Sequence, residues 1–200
     1  MEIKRVTKMD MNTTNFEVGD VFSMTMTNGE KVEAMAMKQE NDGMIFMLVD
    51  CIRGEYRMNS DNTNRGGYDA SDLRGQLNGE ILERFPDEVR ELMVDFPNGD
   101  LLRLPTEKEI FGTNRYGEAE SEKVKQFEPM KLLRNRIAFR GMNGYYEWWW
   151  LSNKMKGDAA RFVLIDSGGS ATSYGAYYAL GVRHAFKIKN DTILFSMKRI

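Results

Sequence analysis

The chain has 200 residues, 42% hydrophobic and 29% charged, with 18 glycines and 4 prolines. That mixture excludes a collagen-like, low-complexity or wholly disordered polypeptide, and the length fits one domain with at most a small extension. The 28 Lys and Arg against 30 Asp and Glu leave no global field to draw the chain to nucleic acid or an anionic membrane.

A single cysteine, Cys51, cannot close an intramolecular disulfide, and a single histidine, His184, cannot alone build a multi-histidine metal site. No apolar run approaches the roughly 20 residues that a membrane-spanning helix needs. The polar stretch Met1 to Asp20 lacks the apolar segment of a secretory signal. The expected location is the cytoplasm, or a particle released by lysis.

Residues 1–15 carry little periodic pattern and read as a loose lead-in. From Phe16 to Cys51 the pattern is a three-stranded meander: Val21 to Thr27, the turn Asn28-Gly29, Lys31 to Lys38, the turn Asn41-Asp42-Gly43, then Met44 to Val49. Nine of the 15 methionines fall in the first 50 residues, and Met24/Met26 and Met35/Met37 have strand spacing, so each pair projects to one side of its strand. Adaptable core is the reading of that stripe. Cys51 follows the most apolar strand as a small buried hydrophobe.

Gly54 to Ala70, rich in Asn, Asp, Gly and Arg, reads as a long surface loop. Ser71 then caps a helix whose buried stripe is Leu73, Leu77 and Ile81. Pro86 begins a second short helix through Met93, with Val89 and Leu92 inward. Thr106 and Glu109 form a capping box ahead of one more helical turn, which Gly112 ends. The charged stretch Thr113 to Gln126 is a solvated loop or an exposed helix. The remainder returns to strands: Tyr145 to Leu151, Arg161 to Ile165, the turn at Ser167 to Ser170, Gly181 to Ile188, and a final strand from Thr192 to Met197 in the extension 189–200. Strands, then helices, then strands imply an α+β fold.

Catalytic signatures are absent. There is no phosphate loop, no GxSxG elbow, no HExxH, no CxxC, and no serine followed three residues later by lysine. His184 lies in the apolar pattern Val182 to Phe186 without a recognisable partner, so it reads as structural. The loop Asp61-Asn62-Thr63-Asn64-Arg65-Gly66, continuing to Asp69 and Asp72, resembles a calcium loop only superficially. Arg65 occupies a ligand position and Asp72 replaces the terminal glutamate. Lys131, Arg134, Arg136 and Arg140 are interleaved with Leu132, Leu133, Ile137 and Phe139, a solvated face with apolar residues placed for burial.

The aromatic residues carry more. Tyr145, Tyr146, Trp148, Trp149 and Trp150 lie within six positions. In one extended strand Trp148 and Trp150 point one way and Trp149 the other, with a ring near the start of the strand reaching the surface. The segment Ala171 to Tyr178 mixes small residues with Tyr174, Tyr177 and Tyr178. That composition fits a binding paratope and equally a strand pair with half-buried tyrosines.

In chain order the sequence carries Ser71-Asp72-Leu73-Arg74 with Leu77-Asn78, then Trp149-Trp150-Leu151-Ser152, then Asp166-Ser167-Gly168-Gly169, and last Gly181-Val182-Arg183-His184-Ala185-Phe186. These resemble the Ser-Asp-Leu-Arg helix, Trp-Trp-Leu-Arg-Ser strand, glycine-bearing hairpin and Gly-Val-Arg-Pro-Ala-Leu strand of an uncharacterised bacterial and phage domain family. The resemblance runs from about Val18 to Ile188. It departs at the missing arginine between Leu151 and Ser152, and at His184, where proline is usual.

That family in turn resembles a branch of the C-type-lectin-like fold, which includes formylglycine-generating enzymes and variable receptor-binding proteins of phages. The resemblance implies one domain over residues 1–200. Its expected form is a C-type-lectin-like twisted antiparallel sheet with two or three short helices and long loops, preceded by the meander at 16–51. The enzyme branch relies on active-site cysteines that one Cys51 cannot supply. The calcium branch relies on motifs of which Glu128-Pro129-Met130 is a poor echo, so no cofactor or metal is expected. The expected function is a non-enzymatic binding module, phage- or prophage-encoded, meeting a protein or glycan through Tyr145, Tyr146, Trp148, Tyr174, Tyr177 and Tyr178. The alternatives are a structural component of a particle, with oligomerisation open, and an enzyme with an unfamiliar site.

Overall fold

A computed structural model describes residues 10–12, 16–142, 144–190 and 193–195. The architecture is α+β, mostly strands with short helices, and its strand ladders are antiparallel. Of the expected lead-in, Asp10–Asn12 forms strand β1 and the rest lies outside the described residues.

The meander forms as its turn chemistry predicts: β2 (Val21–Thr25), β3 (Lys31–Gln39) and β4 (Gly43–Leu48). Gly29 takes φ 80°, the left-handed value that a tight Asn-Gly hairpin requires. Between Ala36 and Lys38 the β3–β4 register slips by one residue, a bulge that buries both Ala36 and Met37. Met24 and Met26 enter one apolar cluster and Met37 a second, with Met35 packed against it.

The next stretch carries β5 (Tyr56–Arg57) and is not simply a surface loop. Met58, Asn59, Asn64 and Tyr68 are buried. The Asn64 carboxamide donates to the carbonyls of Asp158 (2.6 Å) and Arg161 (2.9 Å), and the Tyr68 hydroxyl accepts from the Leu104 amide. Polar residues are drawn inside here because each finds a backbone partner.

Ser71 Oγ accepts from the Arg74 amide and caps α1 (Asp72–Gln76), which continues through a wide turn at Leu77–Ile81. Leu73, Leu77 and Ile81 are fully buried, as their spacing predicts. After Pro86, α2 (Asp87–Arg90) is shorter than expected, because the chain turns extended into β6 (Met93–Val94). Then come β7 (Leu102–Arg103) and α3 (Glu107–Phe111), with both bonds of the Thr106–Glu109 capping box and Gly112 in the left-handed region. Residues 113–126 form neither helix nor strand. They are held by buried Glu107, which accepts from the amides of Tyr116 and Gly117, and by Glu120, which accepts from the side chains of Asn114 and Asn153.

The remaining strands are β8 (Ala138–Phe139), β9 (Tyr146–Glu147), β10 (Trp149–Lys154), β11 (Arg161–Ile165), β12 (Ala171–Gly175), β13 (Ala179–Leu180), β14 (Ala185–Lys189) and β15 (Ile193–Phe195). The principal sheet runs β2-β3-β4-β14-β6, with β7 also on β14, and a second runs β10-β11-β12. Three two-stranded pairs complete the set: β13 with β5, β8 with β9, and β1 with β15. The expected last strand is seen as Ile193–Phe195; its flanks, 192 and 196–197, lie outside the described residues.

Alternation along β11 divides its side chains between two cores. Phe162 and Leu164 join the cluster that holds Leu73, Leu77, Trp150 and Val182, whereas Val163 and Ile165 join Trp149 and Cys51. Val163 therefore does not share a core with Leu77, Trp150 and Val182. The single-strand reading of the tryptophans fails as well. The ladder breaks at Trp148, between β9, which pairs with β8, and β10, which pairs with β11. Trp148 is partly exposed while Trp150 is buried.

The motif residues tie the chain internally. The Asn78 Oδ1 accepts from the amides of Leu101 and Leu102, and its Nδ2 donates to the carbonyls of Arg74 and Leu102. Arg183 is buried, donates from Nε to the Leu48 carbonyl and from Nη1 to the Asn135 carbonyl, and lies 4.6 Å over the Trp149 ring. Burial lowers its pKa to about 10, so the guanidinium stays charged inside the fold.

Candidate functional site

Tyr174 stands near the end of the edge strand β12, and the chain then turns, the Tyr178 amide donating to the Gly175 carbonyl at 3.1 Å. Buried Ala176 pins that turn: its amide donates to the Ala160 carbonyl (2.8 Å), and its carbonyl accepts from the Asn59 amide (3.1 Å). A rigid backbone thus carries three rings. Tyr174 and Tyr178 have centroids 4.1 Å apart, and Tyr177 and Tyr178 4.2 Å apart. Trp148 meets Tyr174 edge to face at 6.0 Å. The result is a row, Trp148, Tyr174, Tyr178, Tyr177, each between 37% and 39% exposed. A hydrogen bond with Tyr177 raises the Tyr178 phenol above its ordinary pKa.

Tyr145 and Tyr146, expected as neighbours, are 92% and 62% exposed, but the ring contacts that join the other four do not reach them. Tyr146 packs on Phe139 at 4.8 Å, across the β8–β9 pair.

Beside the row lies a groove of about 310 Å³, lined by Asn62, Ala160, Arg161 and Ser173 together with Tyr174, Gly175, Tyr177 and Tyr178. Arg161 sits opposite Gly175 in the β11–β12 register. A Cβ at Gly175 would come within 2.6 Å of the Asn62 carboxamide oxygen and 3.1 Å of the Tyr177 ring, so glycine fits there without moving either side chain. Sequence reasoning missed Asn62 and Arg161 as groove residues. The Gly175 between two tyrosines was the one local signal.

The other candidates are accounted for by packing. His184 is fully buried, edge-on to Phe85 at 5.5 Å, with neither ring nitrogen hydrogen-bonded, and burial lowers its pKa to about 3. Cys51 is buried, and desolvation pushes its thiol pKa well up. In the acidic loop Asp72 accepts from the Ser60 amide at 2.7 Å. Among the described residues no group of three or more His, Cys, Asp or Glu side chains is placed to share a metal. Three of the four clustered cations are tied down: Lys131 pairs with Glu128, Arg140 with Glu147 and Glu55, and Arg136 donates to the carbonyls of Gly169 and Met130, while Arg134 is exposed. Leu132 and Leu133, expected to be buried, are half exposed. They open a 3₁₀ turn, Leu132 capping it and Leu133 its first residue, rather than lying along a strand with one inward face. No helix among the described residues is long and apolar enough to cross a membrane.

Compared with known proteins, the chain matches no family model, no curated protein and no solved structure.

Proposed function

We propose that the chain is a non-enzymatic binding module of the C-type-lectin-like kind, phage- or prophage-encoded, which meets a protein or glycan through the row Trp148, Tyr174, Tyr178 and Tyr177. One observation carries the reading: four rings in mutual contact stay partly exposed beside a groove, on a turn anchored by buried Ala176. Rigid aromatic side chains give contact area at low entropic cost and supply the dominant anchors of many interfaces. Cys51 and His184 are both withdrawn from solvent, so neither meets a ligand at the surface. The test is to replace Tyr174, Tyr177 and Tyr178 together by serine, then measure thermal melting and capture on protein and glycan arrays. Lost capture with a preserved melt is expected. A lowered melt with unaltered capture returns the rings to a structural role.

A second reading, a component of a larger particle, draws on a separate exposed set, Leu132, Leu133, Met142, Tyr145 and Tyr146. It predicts concentration-dependent assembly in sedimentation that a Tyr145→Ser, Tyr146→Ser double variant abolishes.

A further inference from the structure

The groove beside the tyrosine row holds one charged side chain. Arg161 is the only ionisable residue of the lining apart from the three tyrosines, and no carboxylate shares the lining, although the chain as a whole is net acidic. Its ion-pair partner Asp158 reaches only Nε, at 3.6 Å and without a hydrogen bond, while Asp158 Oδ1 accepts from the amides of Ala160 (2.7 Å) and Arg161 (2.9 Å). The Arg161 side chain is 54% exposed. Its backbone is fixed, because the Arg161 carbonyl accepts from Asn64 Nδ2 and the Met155 amide. A planar fork of donors on a fixed strand, beside the Asn62 carboxamide and the tyrosines, suits a carboxylate.

The rest of the lining suits a pyranose ring. Tyrosine faces offer an apolar platform, and the Asn62 carboxamide and the phenol hydroxyls offer donors and acceptors for ring hydroxyls. The volume lies at the small end of the range for small-molecule sites. Protein epitopes cover a far larger area, about 800 Å² per partner.

Resting on the reading of the row as a binding surface, we infer that the groove takes an acidic saccharide, with the carboxylate of a uronic or sialic acid residue on Arg161 and its ring against the tyrosines. A neutral glycan leaves the guanidinium unused, and a flat protein epitope leaves the groove unfilled.

The experiment is an array of oligogalacturonates, hyaluronan fragments and sialyllactoses, each printed beside its carboxyl methyl ester and probed with the full chain. Retention of one or more acids at least tenfold above its ester is expected, weakening as salt rises. Arg161→Gln is expected to lose tenfold or more with an unchanged melt. Arg161→Lys, which keeps the charge and loses the fork, falls between, and serves if the glutamine variant does not fold. Equal retention of acid and ester, or indifference to Arg161→Gln, overturns the inference. If retention is then still lost with the tyrosine triple variant, the row stands as a binding surface without the acid preference. A protein captured through the row with no saccharide retained overturns the inference alone. No capture sensitive to the tyrosines, on any array, overturns both.

Discussion

Trp149 and Trp150 share a peptide bond but not a core: the Trp149 indole donates to the Arg136 carbonyl at 3.0 Å, and the Trp150 indole to the Tyr56 carbonyl at 2.9 Å, on opposite faces of β10. Each ring is fully buried with its one polar atom satisfied, the condition under which tryptophan stabilises an interior. The sheet β10-β11-β12 is thus held from both sides.

Truncation on either side should therefore destabilise. Trp150→Ala is expected to cost about 3–5 kcal/mol and Leu77→Ala about 2–5 kcal/mol. Leu77→Ala and Val163→Ala, which fall in different clusters, should add to within about 0.5 kcal/mol. Urea denaturation midpoints measure all three. An unchanged midpoint for Leu77→Ala would remove the α1 stripe from the core.

His184 is expected to be a liability. Its folded pKa is lowered to about 3 from an unfolded value of 6.5, so below pH 6.5 the unfolded chain binds a proton that the native state refuses. Its contribution is fully present above pH 6.5 and drains away as pH falls towards 3, by about 1.4 kcal/mol per unit. His184→Leu removes both this loss and the two unpartnered nitrogens. The variant should melt higher than the parent, with a gap wider at pH 5 than at pH 8. A gap independent of pH would show that the ring is protonated or bonded in the native state.

Asn78 satisfies four backbone groups at once. Asn78→Ala leaves the Leu101 and Leu102 amides without their acceptor, at an expected loss of about 2–4 kcal/mol. Asn78→Asp keeps the acceptor but loses both donors, so it should rescue only part. Thermal melts of the two variants separate these contributions.

Cys51 should be inert while the protein is folded. Its thiol is buried and held protonated, and the thiolate is the reacting species. Iodoacetamide at pH 8 is expected to label it in urea and to leave the native protein unmodified by intact mass. Fast native labelling would contradict its placement against β10.

The legible part of this chain was local chemistry. Asn28-Gly29 set a hairpin, Ser71 and Thr106 began helices, and the stripe at Leu73, Leu77 and Ile81 went inward, because each needs only neighbours within a few residues. The illegible part depended on distant register. Val163 changes core because β11 is buried on both faces, which gives a continuous apolar run with no sidedness. Asn64 and Tyr68 went inside a polar segment because carbonyls and an amide from remote parts of the chain awaited them. In the site, the tyrosines announced themselves by composition. Arg161 did not, since only its pairing with Gly175 turns a strand-edge charge into part of a groove.

The Asp42–Lys187 ion pair, 2.6 Å long, joins positions 145 apart, and it clamps β14 into the slot between β4 and β6. On a ribosome the order of events is then constrained. The meander emerges early, but β4, buried along all six residues in the finished protein, presents an open edge until residue 189 has been delivered. Nascent chains with such a waiting strand fold late and stick to one another meanwhile. Slower translation at low temperature, or co-expressed holdase chaperones, should raise the soluble yield more than any change to the surface.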